Sequence, residues 1–200
     1  MEKEKHTFTE KDGFNIIFEM INIARGNAAD SSFYFLLWGW IVVLCTLSEL
    51  LLKEFTAFSY PHSVWLAVIP GVIISAVHGY KSSEKKGVKT HIDKITMFIW
   101  IAFLANYLIL IVYMTKLNYQ IVPLILMLSA SATFLSGITI KEKSLIYGGL
   151  LIWISVFFAF HVSPNIQNLI SIFAISCGYL LPGYISRNKY KKATTNKKDE

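Results

Sequence analysis

The stretch SFYFLLWGWIVVLCTLSELLL, residues 32–52, holds a single formally charged side chain, Glu49, and that one sits near its end. About 20 mainly apolar residues in a helix cross a hydrocarbon core of roughly 30 Å. A membrane barrel strand would instead alternate polar and apolar over a short segment, and this run does not alternate. Working outward, five further runs have the same character: 61–80, 95–115, 121–140, 144–160 and 164–184. The sequence therefore predicts an all-α integral membrane protein with six transmembrane helices.

The charges between the runs orient them. Lys3, Lys5, Lys11 and Arg25 precede the first run, and Lys81, Lys85, Lys86, Lys89 and Lys94 follow the second. Lys141 and Lys143 follow the fourth, and Arg187, Lys189, Lys191, Lys192, Lys197 and Lys198 follow the sixth. Of the 19 basic residues, only Lys53 and Lys116 fall in the alternate loops. Lys and Arg are retained on the cytoplasmic side, so both termini are expected there. Tyr80, Tyr147 and Tyr184 at one set of boundaries, and Tyr60, Tyr113 and Tyr119 at the other, suit the headgroup zone. Short loops join the spans into three hairpins, whose returning helices begin at or near Pro61, Pro123 and Pro164. Proline fits a first helical turn because its missing N–H has no intrahelical partner there.

Composition agrees: 54% of residues are hydrophobic, only 16% are charged, and mean hydropathy is +0.49. The formal charge of +6 is spread over loops rather than gathered on one face, which argues against a nucleic-acid partner. Cys45 and Cys177 lie inside apolar runs with no CxxC spacing, and so read as small buried hydrophobes. The charged amino-terminal segment does not resemble a cleavable signal peptide, so the first span is expected to act as its own targeting signal.

Three segments follow. Residues 1–31 are expected to form a cytoplasmic amphipathic segment. Within it Phe14, Ile17, Phe18, Ile21 and Ala24 make the apolar face of an interfacial helix ending near Gly26, before caps at Asp30, Ser31 and Ser32. Residues 32–184 are the six-helix domain, and residues 185–200 a basic, disordered cytoplasmic tail. The tail's Lys197 and Lys198 resemble a dilysine retrieval signal for the endoplasmic reticulum, the alternative to a bacterial-type plasma (inner) membrane location. Inside the membrane, Gly71, Ser75 and Gly79, then Ser129, Thr133 and Gly137, are spaced by four and should face neighbouring helices; Ala174 and Gly178 are a weaker pair. Pro70–Gly71 should kink the second span.

Ionisable groups in spans are costly, which makes them the first place to look for chemistry. Glu49, His62 and His161 share one predicted depth on the outer side. A carboxylate and two imidazoles suit Zn²⁺ or a related divalent metal with one open position, or a proton relay; separate interfacial side chains are the plainer alternative. His78 and His91 form no recognisable motif. No nucleophile elbow, P-loop or dinucleotide fingerprint appears, so no catalytic or cofactor-binding residue is assigned. The leading expectation is a non-enzymatic accessory or sensory membrane component acting through protein contacts, with the lipid bilayer, a cytoplasmic or membrane protein, or a second copy as partners. The alternatives are a transporter or channel for a small or apolar solute, with a path lined by Pro70, Asn106 and Ser129, and a metal-dependent membrane enzyme using the outer cluster.

Overall fold

A computed structural model describes residues 10–56, 59–86, 91–118 and 120–195; side chains are described from residue 32 to residue 189, apart from residues 83, 85 and 86 and the gaps between those stretches. Among the described residues there is helix and no strand. Helix α1 (Glu10–Phe55) leads to a 3-10 segment, Pro61–Ala67, which runs directly into α2 (Val68–Lys86). Then come α3 (His91–Val112), α4 (Ile121–Ile140), α5 (Lys143–Ala159) and α6 (Pro164–Ile175). A π-helical turn, Ser176–Leu180, joins α6 to α7 (Leu181–Thr195).

Five helical stretches are long and apolar enough to cross a membrane: Ser32–Phe55, Pro61–Ser82, His91–Val112, Ile121–Ile140 and Pro164–Lys189. The sixth predicted span, α5, is equally apolar but has 17 residues. At 1.5 Å per residue it is about 25 Å long, at the lower bound for a crossing.

Two differences from expectation concern the ends. No break occurs near Gly26, because α1 is one 46-residue helix. A glycine costs about 1 kcal/mol in a helix, too little to stop propagation where Ala24, Arg25, Ala28 and Ala29 flank it. The amphipathic face over residues 14–25 lies outside the described side chains. At the other end, residues 185–195 continue α7 as helix. Lysines and arginines propagate helix well and suit the negative end of its dipole. Residues 196–200, including Lys197 and Lys198, lie outside the described set.

The core joins α1, α4, α5, α6 and the π turn through Phe35, Leu126, Leu145, Ile152, Ala174 and Tyr179. Helices α4 and α5, linked by Lys141 and Glu142, pack most closely. Lys141 adopts φ 60°, the left-handed cap that ends α4 and turns the chain back. The small residues do face neighbours. An added Cβ at Gly137 would meet Ile146 N at 2.7 Å, and one at Gly71 would meet Ile41 Cδ1 at 2.4 Å. Ser129, Thr133 and Gly137 are all buried.

The last span has an irregularity with a cause in the chain. Pro182 cannot donate to the carbonyl of Gly178 four residues earlier, and the helix widens into the π turn just before it. Gly148 of α5 approaches that same carbonyl so closely that a Cβ there would lie 2.6 Å from the oxygen. Helix α1 runs antiparallel to this region, with Gly39 against Leu180 and Gly183 against Leu36.

The second and third helices are peripheral. Helix α2 packs on α1, and α3 on α4, with Trp100 reaching Phe35 and Tyr179 at ring separations of 5.8 and 6.5 Å. No residue of α3 is buried, and Leu104, Leu108 and Val112 stand exposed. Such all-round apolarity suits hydrocarbon rather than water.

Candidate functional site

Cys45, Glu49 and Lys53 recur every four residues on α1, so they form one stripe down a single face. That stripe faces the 3-10 segment. In a three-residue turn, positions three apart eclipse, which places His62 and Trp65 on one side of it. The two patterns meet at the Glu49 carboxylate, whose residue is only 6% exposed.

Oε2 of Glu49 accepts from Trp65 Nε1 at 2.6 Å. Oε1 lies 2.9 Å from His62 Nδ1 and 2.5 Å from Lys53 Nζ, the latter one helical turn along α1. Cys45 Sγ donates to the Val64 carbonyl at 3.4 Å, adding a second tie between α1 and the same segment. A buried carboxylate is tolerable only where donors replace its lost water, and here three side chains do so. The site is a polar clasp between α1 and the start of α2. His62 is anchored through Nδ1 while 74% of its side chain is exposed.

Of the three residues predicted to gather, Glu49 and His62 do so and His161 does not join them. Its Nδ1 sits 2.7 Å from the Phe157 carbonyl in the last turn of α5. Among the described residues no three His, Cys, Asp or Glu side chains are grouped as metal ligands. Lys53 and Trp65 were absent from the predicted set. The (i, i+4) spacing from Glu49 was a usable signal for the lysine; the tryptophan required knowledge of the 3-10 winding.

The remaining polar residues are placed separately. Pro70 is exposed in the first turn of α2, directly after the 3-10 segment, so the irregularity expected at Pro70–Gly71 lies on its amino-terminal side. Asn106 is exposed on α3 and donates to the Ala102 carbonyl at 2.8 Å, whereas Ser129 is buried in the core. His78 stacks on Phe33 at 3.8 Å with the rings 12° apart, and His91 is exposed at the start of α3.

Two further polar links mark the ends of the bundle. Gln167, 1% exposed, donates to Gln120 Oε1 at 2.7 Å and to the Val162 carbonyl at 3.2 Å, tying α6 to the turn before α4. At the opposite end Lys189 of α7 pairs with Glu142 in the α4–α5 turn. Burial pushes the Glu142 carboxyl up, but hydrogen bonds from Lys189 and Ser144 and the lysine charge outweigh it. They hold the group below its ordinary value.

The sequence matches no protein-family model, and neither a curated protein nor a solved structure matches it.

Proposed function

We propose that this chain is a non-enzymatic accessory or sensory membrane component that acts through protein contacts, with the Glu49 clasp as its responsive part. The observation that carries this reading is the convergence of Lys53, His62 and Trp65 on one buried carboxylate where α2 is attached to α1. Beyond the clasp, α2 meets the bundle chiefly through α1, at Gly71–Ile41 and His78–Phe33, so loosening the clasp releases the start of α2 while the rest of the hairpin stays packed. The charge distribution supports α5 as a sixth span, three hairpins and both termini in the cytoplasm; the compact form of the chain favours a plasma membrane, with the endoplasmic reticulum as the alternative. The exposed faces of α2 and α3 are available to lipid, to a membrane partner or to a second copy.

Hydrogen–deuterium exchange in lipid nanodiscs tests the clasp. Glu49→Gln should raise exchange over residues 61–72 and leave α4 and α5 unchanged; equal exchange in both proteins would remove the clasp from the argument. Liposomes holding only the purified chain should show no solute flux and no turnover. Flux without a partner would replace this reading with the transporter, and turnover would replace it with the enzyme.

A further inference from the structure

Phe35, Trp100 and Tyr179 form an aromatic layer across α1, α3 and the π turn, with ring separations of 5.2 Å between Phe35 and Tyr179 and 5.8 Å between Phe35 and Trp100. The Tyr179 hydroxyl reaches the side chains of Thr133 and Ser129 on α4, so α4 belongs to the same level. One turn nearer the Ser32 end, every one of these helices carries a hydroxyl. Ser32 lies three residues before Phe35, Thr96 four before Trp100, and Ser136 three after Thr133. Offsets of three and four keep a helical face, so the three hydroxyls lie beneath the aromatic layer on the sides that form it. Ser186 joins them from α7. The pairing of Leu36 with Gly183 in an antiparallel register sets Ser186 level with Ser32.

Three of these hydroxyls, with Ser75 Oγ on α2, differ from most others in the bundle. Ser131, Thr133, Thr139 and Ser155 each return a hydrogen bond to the carbonyl four residues earlier, at 2.7 to 3.0 Å. Thr96 Oγ1, Ser136 Oγ and Ser186 Oγ are buried and have no partner among the described residues. Ser136 is 0% exposed and Ser186 3%. One orphan hydroxyl is a cost a fold can absorb; three at one level, in a bundle where hydroxyls on α4 and α5 make the local bond, call for partners from outside the chain.

We propose that Thr96, Ser136 and Ser186 line a buried site for ordered water, closed on one side by Phe35, Trp100 and Tyr179. A hydroxyl offers one donor and two acceptor positions, and a water needs two to four polar partners. The set is uncharged, which fits a neutral hydrogen-bonding ligand rather than an ion. The proposal is independent of the Glu49 clasp, which lies more than three turns further along α1.

The test uses the full chain in nanodiscs with Cys45→Ala and Cys177→Ala, so that a single introduced thiol is read. Thiolate, the reactive form, is disfavoured in a dry apolar core. Ser136→Cys should react with the small neutral reagent methyl methanethiosulfonate at least about ten times faster than Ala130→Cys, a 0% exposed apolar position on the same helix. Equal, slow reaction at both positions overturns the proposal. Ser136→Ala supplies an independent sign in case the cysteine variant does not fold. Loss of a water-bound hydroxyl lowers Tm, whereas removal of a hydroxyl in a dry core raises it. A raised Tm overturns the site.

Discussion

Substituting Gly148 by alanine is a direct test of the close approach between α5 and the π turn. The new methyl carbon would stand 2.6 Å from the Gly178 carbonyl oxygen, 3.0 Å from Pro182 Cγ and 3.2 Å from Gly178 Cα. Non-bonded carbons settle about 3.5–4.0 Å apart, so the two helices must separate by roughly half an ångström or more. All three atoms belong to the backbone or to a rigid proline ring, and none can swing aside. Overpacking of this kind costs about 1–3 kcal/mol, offset by about 1 kcal/mol because alanine prefers helix over glycine. The net loss is up to about 2 kcal/mol, which for a chain of this length is a fall of up to roughly 8 °C in Tm. Gly79→Ala is the matched control. Its methyl would meet only the Tyr34 hydroxyl, at 2.9 Å, and that group sits at the end of a side chain that can move. This variant should be neutral or slightly stabilised. Thermal unfolding of both in the same detergent reads the difference. If Gly148→Ala melts at or above wild type while Gly79→Ala falls, the account of this interface is wrong.

Two other outcomes follow from polar links. The Glu142 carboxyl titrates below its unfolded value of about 4.3, so its pairing with Lys189 contributes stability above that value and loses it as pH falls through the lower folded value. Melting curves of wild type and Glu142→Gln should differ by a small amount at pH 7 and converge in stronger acid; a gap that widens on acidification would contradict the sign. Gln167→Met should cost about 1–3 kcal/mol by stranding the Gln120 and Val162 acceptors, and adding Gln120→Met should recover part of that loss. Additive losses in this double-mutant cycle would mean that the two glutamines do not share a bond in the membrane.

Apolar length made the helices readable, because a run such as 32–52 has few ways to satisfy its backbone in hydrocarbon except by becoming helix. Internal irregularities were harder to read. Pro70 was a visible kink signal, yet the chain winds as 3-10 upstream of it, where Pro61 and the tie to Glu49 both act. The π turn had a signal that went unread, a proline four residues after Gly178. The site divided along a physical line. Charge topology sets the depth of a side chain but not its direction around the helix axis. Glu49 and His62 share both depth and direction. His161 shares only depth, and its ring turns back on the last turn of α5. Lys53 was counted as a topological charge, although its spacing from Glu49 already made it a partner.

The unbroken course of α1 has a mechanical consequence. Its backbone hydrogen-bond ladder runs from Glu10 to Phe55, about 69 Å at 1.5 Å per residue, and Glu49 lies within two turns of one end. A helix resists twisting because each turn is bonded to the next, so a roll of α1 at the clasp is delivered along the rod to residues 10–31. On this geometry α1 resembles a torsion bar, in which the clasp beside His62 and residues 10–31 share one bearing.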